Sequence, residues 1–216
     1  AVVTGFCLFA AFVLFLFVAL SLPIIKSVYL LQIDGNTSPT LPKTSIGTEL
    51  RFGVWGFCAT SALNKPTPVS NTGECIGPQL GYTIDPQTIA VVTNEPDLAN
   101  LVLKGLTILL VLHPVAAGLA LLTLIPVIAS CCVYHFAPWI ISLVLSVATA
   151  IVSTIVFAAD LALVIVARDK VKHQSTVNVS ISFGNGVWMV LVSTVFTWMA
   201  MLLLAARVCR CCGFGR

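Results

Sequence analysis

The chain has 216 residues, 58% of them hydrophobic and only 9% charged, with a mean hydropathy of +1.05. Soluble domains carry about 25% charged residues, so this composition excludes an ordinary soluble globule and marks a polytopic membrane protein. The net charge of +3 is small and scattered, which argues against a nucleic-acid partner.

Four stretches are long enough to cross a hydrocarbon core of about 30 Å, which takes roughly 20 helical residues. The first, Val2 to Leu22, repeats phenylalanine at Phe6, Phe9, Phe12 and Phe15 and is expected to stop at Pro23. It is too long for a signal peptide and lacks a small-residue cleavage site before a polar mature start. The sequence opens at Ala1 without Met, directly in apolar residues, so a short N-terminal segment and a C-terminal tail are expected beyond it.

From Pro23 to about Asn100 the chain turns polar. Val28 to Ile33 reads as a strand, and Asn36 to Pro42 as a turn. Leu50, Phe52, Val54 and Phe57 read as one or two further short strands, with Gly53 and Gly56 permitting tight bends or close backbone approach. Asn71-Thr-Gly73 reads as a turn leading to Cys75. If oxidised, Cys58 and Cys75 close a loop of roughly 15 to 20 residues, worth about 3 kcal/mol in the chain-entropy model. A small sheet on a membrane has little core of its own, so such a staple makes sense; two unpaired thiols are the alternative.

Asn94-Glu-Pro-Asp97 reads as a helix start, with Asn94 or Glu95 near the cap and Pro96 in the first turn. The second span covers Leu101 to Ala129 and contains Pro114 and Pro126, which membrane helices tolerate. Ser130 to Ala137 is a short hairpin connection. The third span, Pro138 to Ala167, is about 30 residues, or roughly 45 Å as a helix. A second polar loop, Arg168 to Gly186, precedes the fourth span, Val187 to Ala206, and a basic tail from Arg207 to Arg216.

Lysine and arginine counts do not orient the chain, because long loops cross largely regardless of charge. Sequons at Asn36-Thr-Ser38 and Asn178-Val-Ser180 fall one in each large loop. Together with a cysteine pair that needs an oxidising compartment, they put residues 23–100 and 168–186 outside the cell and both termini in the cytoplasm.

Asp160 is the acid deep in a span, which is a functional-site hypothesis by default. Ser142, Ser146, Thr149, Ser153 and Asp160 share one helix face, the small polar stripe of a helix–helix interface in lipid. A hydrogen-bond hub inside the bundle is the plainer reading of Asp160; a proton- or ion-responsive role is the sharper one. His113 lies about 16 residues and Asp160 about 22 residues from the hairpin, roughly 9 Å apart in height. Pairing would need tilt or a kink at Pro114, so a packed, neutral histidine is expected.

Cys209, Cys211 and Cys212 beside Arg207 and Arg210 resemble S-palmitoylation sites at a span end, with Cys131-Cys132 a second candidate. Their spacing and lack of a neighbouring histidine do not fit zinc. No phosphate loop, HExxH or Gly-x-Ser-x-Gly pattern occurs, so no enzyme, cofactor or metal is expected.

The plan of four spans, a large first loop with Gly53-Val-Trp-Gly-Phe-Cys58 and a second cysteine, and a short inner hairpin resembles the claudin-type tetraspan proteins. More closely, Leu22-Pro-Ile-Ile-Lys-Ser-Val28, Phe52-Gly-Val-Trp-Gly-Phe-Cys58, Cys75 with Leu80-Gly-Tyr82, Leu112-His-Pro-Val-Ala-Ala-Gly118 and Ala159-Asp-Leu161 resemble the fungal PalI family. The likeness covers nearly the whole chain, although Asn64 to Thr72 and the loop after Gly81 are longer than the compact pattern. It implies a left-handed four-helix bundle topped by a small antiparallel sheet, built mainly by the first loop and stapled by Cys58–Cys75. Phe52, Gly53, Trp55, Gly56, Gly81 and Tyr82 would form the outer motif.

The resemblance also implies an accessory role at the plasma membrane, helping a larger polytopic pH sensor reach or remain at the surface. Relatives point to two further roles, support of a cell-wall polysaccharide synthase and self-assembly into static membrane domains with lipids. The expected partner is thus another membrane protein, or a second copy.

Overall fold

The computed structural model describes residues 2–22, 24–35, 49–60, 74–76, 96–132, 137–172 and 179–209. Helix α1 spans Val2–Ala19, and strands β1 (Leu31–Gly35), β2 (Glu49–Phe52), β3 (Phe57–Thr60) and β4 (Glu74–Ile76) follow. Helices α2 (Pro96–Cys132) and α3 (Ala137–Lys172) come next, then strand β5 (Val179–Phe183) and helix α4 (Asn185–Cys209). All four helices are long and apolar enough to cross a membrane. The protein is therefore a multi-pass membrane protein with a small antiparallel sheet.

The chain divides into two compact units. One comprises Ala1–Ala19, Leu112–Ala158 and Trp188–Arg216; the other comprises Leu20–Val111 and Ala159–Val187.

The first unit is helical, and each helix turns a stripe of three- and four-residue steps inward. On α1 this stripe is Thr4, Cys7, Leu8, Ala11, Phe15 and Val18. The phenylalanine repeat is not that stripe. A step of three residues slips about 60° round a helix of 3.6 residues per turn, so Phe6 and Phe9 are exposed while Phe15 is buried. All four helices meet where Cys7 and Leu8 pack with Leu124, Val127, Ala200 and Leu204, flanked by Trp139, Leu143 and Phe196. The outward faces carry Val115, Leu122, Ile125, Ile151, Ile155 and Leu202, as expected where the surrounding solvent is lipid. Helix α2 stays continuous through Pro114 and Pro126.

In the second unit the strand order is β4-β3-β2-β1-β5, with every pair antiparallel. Four strands come from the first polar region and the fifth from the second, so the sheet ties the two regions together. One face buries the cross-strand row Ile181, Ile33 and Leu50, with Leu31 and Phe52 beside it. Helices α2, α3 and α4 each extend a few residues beyond the expected spans, and two other boundaries are moved by bonds at the junctions. Helix α1 ends at Ala19 and not at Leu22, because Ser21 and Leu22 are drawn into bonds with Val28 and Val54. Strand β1 begins at Leu31 and not at Val28, because the backbone at Tyr29 and Leu30 bonds to Phe52, Gly184 and Gly186 at the junctions.

Candidate functional site

The Gly53-Val-Trp-Gly56 sequence forms the tip of the β2–β3 hairpin, closed by a bond from the Gly53 N–H to the Gly56 carbonyl at 2.9 Å. The tip is seated on the residues that follow α1. Ser21 Oγ accepts the Val54 N–H at 2.8 Å, and the Leu22 carbonyl accepts the Trp55 N–H at 3.1 Å. A Cβ at Gly53 would lie 2.5 Å from Leu22 Cβ and 2.7 Å from its backbone nitrogen. The glycine is thus needed for close backbone approach.

A second seam joins the start of α4 to residues 27–30. Asn185 Oδ1 accepts the Tyr29 N–H at 3.1 Å, and Asn185 Nδ2 donates to the Ser27 carbonyl at 2.7 Å. The amide side chain thus satisfies an N–H and a carbonyl two residues apart, as a neighbouring strand would. Gly184 N–H donates to Leu30 and Gly186 N–H to Tyr29, both at 2.9 Å. Sequence reasoning missed Asn185 and Ser21. No local signal marked either one, because their partners, Tyr29 and Ser27 for Asn185 and Val54 for Ser21, lie far along the chain.

The other face of the sheet presents one cross-strand row. Ser182, Gln32, Arg51, Cys58 and Cys75 stand directly opposite one another across the five strands. Cys58 and Cys75 are disulfide-bonded, with a sequence separation of 17. Cys58 is fully buried, while Arg51 and Gln32 are half-buried and Ser182 is exposed. The Arg51 guanidinium lies 4.8 Å from the centroid of the Tyr29 ring, a cation–π contact worth about 0.5–1 kcal/mol at a partly solvated site.

Inside the bundle the predicted stripe on α3 is buried at Ser142, Ser146, Thr149 and Ser153. Each hydroxyl lies within 2.7–2.9 Å of a carbonyl one turn back on its own helix. Two of them also reach across. Thr149 lies 2.9 Å from Thr123 on α2, and Ser153 lies 3.0 Å from Thr197 on α4. A hydroxyl carries one hydrogen, so one member of each pair donates across. The stripe is therefore a seam within this chain and not a grip on an outside neighbour. Trp198, on the exposed side of α4, donates its indole N–H to Thr154 Oγ1 at 3.1 Å. A double-mutant cycle of Ser153→Ala and Thr197→Val is expected to give a coupling of about 0.6 kcal/mol, and at most roughly 1.7 kcal/mol. Strictly additive losses in detergent unfolding would contradict the pairing.

His113 is fully buried in the helical unit, and Asp160, 1% exposed, is buried in the other. At the hairpin end of the helical unit the Arg207 guanidinium stacks 4.6 Å from the centroid of Trp139. Cys209 closes α4, and Cys131 and Cys132 close α2. The sequons at Asn36 and Asn178, the Asn71–Gly73 turn, Gly81, Tyr82, Asn94, Glu95, Cys211 and Cys212 lie outside the described residues.

The model of the SUR7/PalI family matches residues 1–205. No curated protein matches the chain significantly.

Proposed function

The chain belongs to the SUR7/PalI family, and from that premise we propose a non-enzymatic accessory protein of the plasma membrane that stabilises or localises a larger membrane protein in ambient-pH sensing. The observation that supports this most directly is how the polar groups are used. The seam hydroxyls Thr123, Thr149, Ser153 and Thr197 bond to one another within the bundle. Outside it, strands from both polar regions are joined into one sheet and tied by Cys58–Cys75, with Ser182, Gln32 and Arg51 in register on one face. A covalently fixed sheet with a polar row costs little entropy on binding, because its strands are already ordered.

The disulfide calls for an oxidising compartment, and the sequons Asn36 and Asn178 agree with it, one per polar region. In this reading both polar regions face the cell exterior, and both termini and residues 133–136 are cytoplasmic. The partner then meets the outer sheet by its polar row and the bundle by its apolar outer faces.

Deleting the protein tests this. The expected result is poor growth at alkaline pH together with a reduced surface level of the polytopic sensor. A defect confined to wall stress would move the partner to a cell-wall polysaccharide synthase. Normal growth and sensor level under both conditions would refute the accessory role.

A further inference from the structure

One of the two compact units has no acidic residue. All eight in the chain fall within Leu20–Val111 and Ala159–Val187, where eight lysines and arginines balance them. The lysines and arginines of the helical unit are Arg207, Arg210 and Arg216 alone, so the whole net charge of +3 belongs to the end of α4 and the tail after it. Arg207 has a defined seat there. Trp139 and Arg207 each stand one residue inside the end of an apolar span, Pro138–Asp169 on α3 and Asn185–Val208 on α4. At that depth an amphipathic indole and a snorkelling arginine meet the headgroups. The indole packs against the four-helix core, and the guanidinium lies over it, 4.6 Å from the ring centroid. A guanidinium stacked on an aromatic face keeps its in-plane N–H fork for oxygen ligands. The unit offers no carboxylate side chain to fill that fork. Exposed Met199 and Leu203 stand two turns and one turn before Arg207 on the same stripe of α4, and lead from it into the hydrocarbon.

We propose that the Arg207–Trp139 pair is a binding site for an anionic phospholipid. The guanidinium donates two N–H bonds to the phosphate oxygens, in the bidentate geometry that favours arginine over lysine. One acyl chain follows Leu203 and Met199 along α4. The stack holds the side chain in place beforehand, so less rotamer entropy is lost when the lipid arrives. A phosphatidylcholine carries the same phosphate but adds a quaternary ammonium, which the three arginines repel. Anionic lipids concentrate in the cytoplasmic leaflet, which agrees with the placement of this end given above. Neither the site nor its test depends on the accessory role.

The test uses the purified full-length protein in phosphatidylcholine nanodiscs made with or without phosphatidylserine. Lipids that stay on the protein are counted by native mass spectrometry. Phosphatidylserine should be retained over phosphatidylcholine, and R207Q should lower that preference about fivefold, the effect of one arginine near an anionic surface. Thermal unfolding of the same samples reads stability, and phosphatidylserine should raise the transition more for the parent than for R207Q. If Arg207 merely packs on Trp139, R207Q will lower the transition equally in both lipids and keep the preference, which would overturn the proposal. Equal retention of the two lipids by the parent would overturn it as well. Should R207Q not fold, W139F keeps a ring beneath the guanidinium and isolates the Trp139 fluorescence by difference from the parent. Brominated acyl chains should then quench Trp139 more on phosphatidylserine than on phosphatidylcholine at equal proportion. Equal quenching by the two would refute the site.

Discussion

Gly184→Ala is expected to lower the unfolding free energy by about 3 kcal/mol, the upper part of the range for overpacking. The added methyl would fall on the Tyr29 carbonyl oxygen and within 2.7 Å of the Leu30 carbonyl carbon. These are backbone atoms already held in place, since the Gly184 N–H bonds to Leu30 and the Gly186 N–H to Tyr29. Relief would require β1 and β5 to part at the Leu31–Phe183 pair. Gly5 and Gly118 are the controls: both lie in helices with nothing within 4 Å of an added Cβ, so alanine there should be neutral or stabilising by up to about 1 kcal/mol. Thermal unfolding in mild detergent, followed by tryptophan fluorescence, is the measurement. A Gly184→Ala protein as stable as the parent would show that the junction is not tightly packed.

Removing the staple is the second large effect. Cys58→Ser with Cys75→Ser should cost about 3 kcal/mol, the chain-entropy value for a loop of this size. β4 has only three residues, and its described pairing is with β3 alone, so the covalent link supplies much of what holds it in register. Reductant added to the native protein should lower its unfolding temperature, while the double variant should no longer respond to reductant. An unchanged transition in both would contradict the role assigned to the bridge.

Much of the architecture was legible because lipid imposes run length directly. Four apolar stretches gave four helices, and the two prolines of α2 left that reading intact. The face shared by Ser142, Ser146, Thr149 and Ser153 followed from spacing alone. Its partners did not. Thr123 and Thr197 meet α3 through a helix packing that local periodicity does not encode. The sheet divides in the same way. Alternating Leu50 and Phe52 announced a strand, and Gly53 announced close approach, but one of the two neighbours of β1 is β5, about 150 residues later. The ends of α1 and β1 were misplaced for a related reason, because both are set by bonds to Val54, Phe52 and Gly184. Tertiary partners, not local preference, decided those boundaries.

The proposed role is that of a membrane protein that holds on to another one. Affinity purification from native membranes in mild detergent, with the recovered proteins quantified by mass spectrometry, tests it most directly. One polytopic partner is expected at a fixed ratio, with a lower yield of that partner from the Cys58→Ser, Cys75→Ser variant at equal bait. Recovery of the chain as a solitary monomer under conditions that keep Cys58–Cys75 oxidised would contradict it.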